Sequence, residues 1–470
     1  MFVGRQKELG TLENLYKNEN FQMAVVYGRR RIGKTTLLNR FVEGKPAVFF
    51  TAQEANDSLN LAGFSKAVYS FFKIPLTAGG FESWEDAFCF LAENAEKKRF
   101  ILVFDEFPYA AGANKSLPSI LQNAIDRYLK NSKIFILLCG SQISWMETEV
   151  LGAKSPLFGR RTAQIKLEGF DYLDAACFMD GFSNEDKIKL YGCLGGTPHY
   201  LAQIDRAQSF EDNIKRLFLD TASYMYAEPM MLLRQELREP ALYNSLMSAI
   251  ASGASKLNEI STKIGESSAK TIKYIHTLSS MNLLRKEVPF GEDGGRSKRG
   301  VYAITDNAFL FWYRFVFPNR PIIERGFTAE IAPRILASIP EHIGKPCFEE
   351  VCMQYLIRAA LAGSLPFTPL TFGRWWGNDP VKKCQTDIDV VAADDFNKKL
   401  IVGEAKWREN ENISASDAAC WMRREYLFPG YLERYYYLFS KKEFSPTLFS
   451  LAKENARLKL VTLDMMFLGK

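Results

Sequence analysis

A multidomain α/β protein with a parallel sheet in its front part is the fold class this sequence predicts, on three observations. "QMAVVYGRRRIGKTTLLNRF", Gln22 to Phe41, runs from an apolar β segment through a glycine-bearing loop into a helical start. "RFILVFDEF", Arg99 to Phe107, is a short apolar run ending in two acids, the signature of a buried parallel strand. "DIDVVAADDFNKKLIVGEAKW", Asp387 to Trp407, holds two β runs around a polar turn, a hairpin by composition. At 470 residues the chain is too long for one core and suggests about three domains.

The first stretch carries the strongest signal. Gly28 to Thr35 fits G-x-x-x-x-G-K-[ST] between a strand and a helix, the context that gives the motif meaning. The backbone of Gly28, Arg29, Arg30, Arg31, Ile32 and Gly33 wraps a phosphate with its N–H groups. Lys34 charges the β and γ phosphates, Thr35 ligates Mg²⁺, and Thr36 opens the helix whose N-terminus adds a positive dipole end. On the second strand Asp105 is expected to hold the Mg²⁺ shell and Glu106 to orient the attacking water. A third strand, "KIFILLCGSQIS", ends in Ser141-Gln142, where a small polar group can sense the γ phosphate. "SPLFGRRTAQIKL" then offers Arg160 or Arg161 as a cation for charge on the transferred phosphoryl group.

Downstream, 170–236 has helical periodicity without strand-like runs, and 237–318 reads as three helices followed by two strands, a winged helix-turn-helix. Its third helix exposes Lys270 and Lys273, and its wing tip carries Arg296, Lys298 and Arg299, cations able to meet DNA phosphates without base readout. "DNAFLFWYRFVFPNRP" is read as a core-building connector.

In the tail, a turn centred between Phe396 and Asn397 sets Asp389 opposite Glu404 and Asp387 opposite Lys406. Strict alternation then places all four on one face, with opposed residues ~5 Å apart. Such a set suits metal-assisted phosphodiester hydrolysis: Asp389 and Glu404 hold Mg²⁺ or Mn²⁺, and Lys406 orients the nucleophile or stabilises charge. In "GKPCFEEVCMQYL" the helical stripe Phe348, Val351, Cys352, Tyr355, Leu356 leaves Glu349 on its flank, able to reach the sheet, and Glu350 near its back.

Several motifs together resemble a known family. "FVGRQKEL" resembles the hhGRExE motif of STAND-type NTPases, relatives of AAA+ and origin-recognition ATPases, and "GGTPHYL" resembles their GxP lid motif. With the phosphate loop they are similar to an archaeal and bacterial family joining a STAND ATPase to a winged helix and a restriction-endonuclease-like domain. The resemblance implies that Val3, Gly4 and Arg5 lie near adenine and ribose and that Pro198 closes over the nucleotide. Gln6 departs from the motif's glutamate. In the tail, Glu349, Asp389 and Glu404/Lys406 resemble the acids and E-x-K of the PD-(D/E)xK nuclease fold. "FGRWWG" resembles its GxWWG stretch, with Trp375 and Trp376 read as packing. The implied organisation is a P-loop ATPase core over 1–169, a helical lid over 170–236, a winged helix over 237–318 and a nuclease-like α/β domain over 319–470.

The reading is then an ATP-binding, ATP-hydrolysing switch coupled to a DNA-binding, metal-dependent nuclease-like tail acting on duplex or branched DNA. The alternative is a nucleotide-dependent scaffold whose inactive tail binds a protein partner. Homo-oligomerisation is left open, and no transporter signature supports a transport ATPase. Composition agrees: 47% hydrophobic and 24% charged residues suit a soluble protein, and no apolar run reaches the ~20 residues a bilayer needs. Eight cysteines without a C-x-x-C pair read as buried thiols, and three histidines argue against a His-based metal site. A cytoplasmic location is expected.

Overall fold

The computed structural model describes residues 2–75, 79–237, 239–408 and 413–468. The chain forms two compact units.

The first unit runs to Gly169 and includes Thr197–His199 and Ser280–Asn282. Five strands, β1 (Gln22–Tyr27), β2 (Ala47–Thr51), β3 (Ile101–Asp105), β4 (Phe135–Gly140) and β5 (Ala163–Lys166), form a wholly parallel sheet in the order β2-β3-β4-β1-β5. Alternation gives each strand two apolar faces. Ala24 and Val26 face Leu12 of α1 (Gln6–Lys17) and Leu37, Leu38 and Phe41 of α2 (Lys34–Val42). Met23 and Val25 face the opposite layer, built from α3 (Asp57–Phe72), α4 (Trp84–Lys97), α5 (Phe107–Ala113) and α6 (Leu117–Arg127). A sheet buried on both faces needs such continuous apolar strands, which is why β1, β3 and β4 are buried at every residue. Because the strands are parallel and β4 lies between β3 and β1, the residues following all three emerge side by side.

The second unit comprises Phe170–Gly196, Tyr200–Ser279 and Leu283–Lys470. Its described residues from 170 to 236 contain helices and no strand. Helices Pro240–Ala251, Leu257–Ile264 and Ser268–Ser280 follow, then the antiparallel pair β6 (Leu284–Glu287) and β7 (Val301–Ile304). The aromatic connector is core: Phe309, Phe311, Trp312 and Tyr313 are buried. Trp312 Nε1 donates to the Tyr226 carbonyl at 2.9 Å, and the Tyr313 hydroxyl to Asn244 Oδ1 at 2.6 Å.

Five further strands, β8 (Thr371–Asn378), β9 (Gln385–Asp394), β10 (Lys399–Lys406), β11 (Glu433–Ser440) and β12 (Leu458–Thr462), make a sheet ordered β12-β11-β10-β9-β8. Its pairing is antiparallel from β8 to β10 and parallel from β10 to β12. Val391, Ala393, Leu400, Val402, Tyr436 and Leu438 pack with Trp421 of helix Ala415–Met422 and Leu448 of helix Pro446–Glu454. Helix Phe348–Leu361 packs on β9 and β10 from the other face, where Tyr355 meets Phe439 edge-on. Gly403 lies under this layer, and a Cβ there would stand 2.9 Å from Val390 Cβ.

The hairpin has the predicted register from Lys399↔Asp394 to Gly403↔Val390. Beyond that the expectation of strict alternation is corrected. Gly373 pairs with Val391 but Trp375 with Ile388, so Arg374 alone faces both Asp389 and Val390 across a β-bulge. The bulge flips the parity of β9: Ile388 joins the same core as Val391, and Asp387 turns to the face of helix Phe348–Leu361. Glu404 keeps the parity of Leu400 and Val402 and belongs to the opposite face. The four charged residues therefore do not share one face.

Candidate functional site

The first site is the cluster of strand ends in the first unit. Gly28 follows β1 so closely under Leu167 that a Cβ would lie 2.4 Å from the Leu167 carbonyl oxygen. Gly33 caps α2 at φ 90°, a left-handed conformation that glycine adopts freely. The loop between them returns on itself and is held by Lys34, whose ammonium donates to the carbonyls of Gly28 at 2.9 Å and Arg29 at 3.0 Å. Burial holds the Lys34 ammonium below its usual pKa range, while the thiol of Cys139 and the carboxylates of Glu106 and Asp105 act in the other direction.

Thr35 Oγ1 donates to Asp105 Oδ2 at 3.0 Å, joining the head of α2 to the end of β3. A hydroxyl and a carboxylate are hard oxygen donors of the kind Mg²⁺ takes, and that ion is normally completed by phosphate and water. The residues present thus fit the ion. Glu106 stands at φ 50°, a left-handed position costly for a non-glycine residue. Its carboxylate accepts from the Ser141 hydroxyl at 2.9 Å and the Ser141 N–H at 3.2 Å. Ser141, expected to sense the γ phosphate, thus bonds Glu106, the water-orienting candidate. Pro198 Cγ lies 3.7 Å from where a Gly33 Cβ would stand, against the phosphate loop. Val3 is buried, Gly4 and Arg5 adopt positive φ, and Arg5 donates to the Ile32 carbonyl at 3.2 Å. Arg30 bonds the Tyr109 hydroxyl and Thr36 lies exposed on α2.

Arg160, expected as a cation for the transferred phosphoryl group, is engaged elsewhere in the first unit. Its guanidinium grips Asp126 of α6 at 3.0 and 2.6 Å and also donates to the Pro156 and Phe158 carbonyls. A guanidinium spent in this way must break a two-point ion pair before it reaches any phosphate.

The second cluster lies at the bulge. Asp389 Oδ2 accepts from the Ala405 N–H at 2.9 Å, a carboxylate standing where the ladder would have supplied a carbonyl. Around it the charges fall into two sets. On one side Lys406 pairs with Glu404 at 2.5 Å, and burial together with Asp389 pushes the Glu404 carboxyl above its usual range. On the other, Glu349 is buried, with Arg374 at 2.7 Å and Lys345 at 3.5 Å. Burial drives the Glu349 carboxyl well above its usual range. Arg374 opposes that shift and Asp389 adds to it. Asp387 pairs with Lys345 at 2.6 Å, and although burial works against its charge, that lysine holds its carboxyl below the usual range. Among the described residues no three His, Cys, Asp or Glu side chains gather as a metal-binding group, a correction to the expected acidic face. The bulge is the reason, since it turns Asp387 and Asp389 to the face of the Glu349 helix while Glu404 stays on the opposite face. What remains is the buried Asp389 and the half-buried Glu404, close enough for the charge of Asp389 to raise the Glu404 carboxyl. With substrate phosphates, one or two carboxylates fit Mg²⁺ or Mn²⁺.

Sequence reasoning missed Lys345 and Arg374. Lys345 stands four residues before Glu349, the spacing of an ion pair on a helix, and Arg374 sits inside the "FGRWWG" stretch. The wing-tip cations are all exposed but differ in partners: Arg296 has a long pair with Asp293 at 3.8 Å, whereas Arg299 pairs closely with Glu292 and donates to the Trp376 carbonyl at 3.4 Å. Lys273 is exposed and Lys270 pairs with Glu266 at 2.8 Å. Trp375 packs on Phe428, and Trp376 Nε1 donates to the Arg299 carbonyl at 3.3 Å. All eight cysteines are free, but Cys384 and Cys420 are exposed, which corrects the expectation of buried thiols.

A phosphate loop, a strand-end aspartate bonded to its threonine and an adjacent glutamate define a P-loop ATPase domain. Comparison with known proteins agrees. A family model described as an ATPase domain predominantly from Archaea matches residues 2–204. A second, described as archaeal and bacterial proteins of unknown function, matches 312–418. Uncharacterized protein MJECL04 of Methanocaldococcus jannaschii is 33% identical over 410 residues, covering 87% of this chain and 88% of that one. The chain belongs to this family of archaeal-type ATPase-domain proteins. Uncharacterized ATP-binding protein MJ0423 of the same organism is 44% identical over 45 residues, 10% of this chain and 76% of that protein. The Walker-type ATPase paby2304 of Pyrococcus abyssi shares the fold, with a TM-score of 0.53 and 21% identity over 67% of this chain and 96% of its own. Among the described residues no helix is long and apolar enough to cross a membrane.

Proposed function

We propose that this protein is a STAND-type ATP-driven switch whose second unit carries a winged helix and a nuclease-like, metal-dependent DNA-processing domain. In the first unit the Gly28–Thr36 segment holds the triphosphate, with Thr35 and Asp105 as the Mg²⁺ ligands and Lys34 on the terminal phosphates. Glu106 orients the attacking water once the nucleotide draws Ser141 away from it. Val3, Gly4 and Arg5 flank the base, and Pro198 closes over the loop.

In the second unit Asp389 and Glu404 are the ligands of a divalent ion, which supplies polarisation of the phosphodiester and an activated water. Lys406, which pairs with Glu404, is placed to orient the nucleophile, and Glu349 completes the acidic set. The single observation that carries this reading is buried Asp389, raised into a bulge and set on the Ala405 N–H between buried Glu349 and half-buried Glu404. Withdrawing several carboxylates from water at one place without a cation is costly, so their placement needs a positive partner. The exposed basic residues Lys273, Arg296 and Lys298 favour a DNA backbone as the macromolecular partner, duplex or branched.

The test is cleavage of supercoiled and branched DNA by the whole protein with Mg²⁺ or Mn²⁺, with and without ATP, beside Glu404→Ala. Cutting lost in that variant supports the reading. Cutting that survives it, or no cutting under any condition, favours a scaffold that binds a protein partner. The observation behind this second reading is that Lys406, Lys345 and Arg374 already neutralise the acids as ion pairs.

A further inference from the structure

Arg374 occupies an unusual position. It is the one residue of β8 facing the two bulged residues of β9, and its side chain reaches two carboxylates on different elements. One NH2 lies 2.7 Å from Glu349 in the acidic site; the other terminal nitrogen lies 3.6 Å from Glu287 at the end of β6. Neither carboxylate satisfies it fully: Glu349 Oε2 has a close ion-pair contact but no hydrogen bond, and Arg374 Nε is buried without a hydrogen-bond partner.

The segment between β6 and β7 is seated on this same strand. The Phe290 N–H donates to the Arg374 carbonyl at 2.7 Å, and Phe290 packs against Gly373 and the sheet core. Arg299 and Trp376 exchange hydrogen bonds at 3.4 and 3.3 Å. β8 is an edge strand, and this segment covers its open side. Glu287 itself pairs with Arg285 at 2.6 Å, and Arg285 also reaches Glu350 at 3.2 Å, on the helix that carries Glu349.

We propose that Arg374 is a positioning residue that competes with a divalent cation for the acidic site, and that the docked β6–β7 segment, through Glu287, sets how strongly it competes. The inference rests on the metal-site reading above. A guanidinium beside Glu349 repels an incoming cation and holds one of the carboxylates that would attract it. Glu287 draws that guanidinium away from the site. Undocking of the segment removes Glu287, leaves Arg374 to Glu349 alone, and closes the site to metal; docking keeps it permissive. DNA contact by the segment is thereby linked to the metal affinity of the domain on which it sits.

Arg374 and its partner Glu287 give opposite expectations, whereas loss of a merely structural ion pair shifts both variants in one direction. Mn²⁺ binding is measured by calorimetry and electron paramagnetic resonance on the nucleotide-free full chain carrying Asp105→Asn, so that the phosphate-loop ion does not contribute. In that background Arg374→Gln tightens Mn²⁺ binding about tenfold or more, Glu287→Gln weakens it, and Arg374→Lys restores the parent value to within about threefold. Shifts in the same direction, or no shift, overturn the proposal while leaving the metal site intact. If Asp389→Asn with Glu404→Gln does not abolish the parent's Mn²⁺ binding, or the parent binds none, the metal-site reading itself fails and takes this inference with it.

Discussion

Lys34→Ala tests the phosphate loop by two readouts that move independently. The ammonium has three donors, of which two are taken by the Gly28 and Arg29 carbonyls, leaving one for a phosphate oxygen. A unit charge about 4 Å from a phosphate charge contributes about 4 kcal/mol at an effective dielectric near 20. The substitution therefore costs about a thousandfold in ATP affinity. The unliganded protein behaves differently. Lys34 is a buried cation whose pKa burial holds down, so its removal also relieves a desolvation cost and the nucleotide-free melting temperature stays level or rises. Calorimetric titration with ATP and Mg²⁺, run beside thermal unfolding with and without nucleotide, reads both. An ATP Kd within about threefold of the parent's refutes the placement of the triphosphate at this loop.

Three further outcomes follow from the geometry. Gly28→Ala sets a Cβ 2.4 Å from the Leu167 carbonyl oxygen, so the loop must shift; ATP-induced thermal stabilisation falls to near zero while the circular dichroism spectrum is retained. Arg160→Ala removes a half-exposed pair with Asp126 and costs about 1 kcal/mol or less in stability, seen by urea unfolding, with ATP affinity unchanged. His342 is fully buried, and burial lowers its pKa to about 4, against the opposing hydrogen bond of its Nε2 to the Gly192 carbonyl at 3.0 Å. The unfolded chain binds a proton near the ordinary value of 6.5 and the folded chain does not. Stability is thus full above that value and falls as pH drops toward 4, by about 3 kcal/mol. Denaturant unfolding of His342→Gln beside the parent at pH 7 and pH 5 checks it, the variant losing less on acidification.

The sequence alone determined whatever lies within one continuous segment. Strand, Gly28 to Thr35 and helix are adjacent in the chain, so the phosphate loop needed no knowledge of distant residues, and Asp105 could be placed because a parallel strand presents its C-terminal end to the same edge. The β9–β10 register was equally legible, since a turn's centre fixes every pair up to Gly403↔Val390. Tertiary structure alone decided the face on which each acid stands. The bulge at Asp389 arises from pairing with β8, a strand whose one-residue slip no pattern within β9 records, and it divides the charges into two sets. Arg160 shows the same limit: its loop composition suited a phosphate, but the fold brings Asp126 to it from 34 residues earlier, and a two-point carboxylate pair holds the guanidinium there.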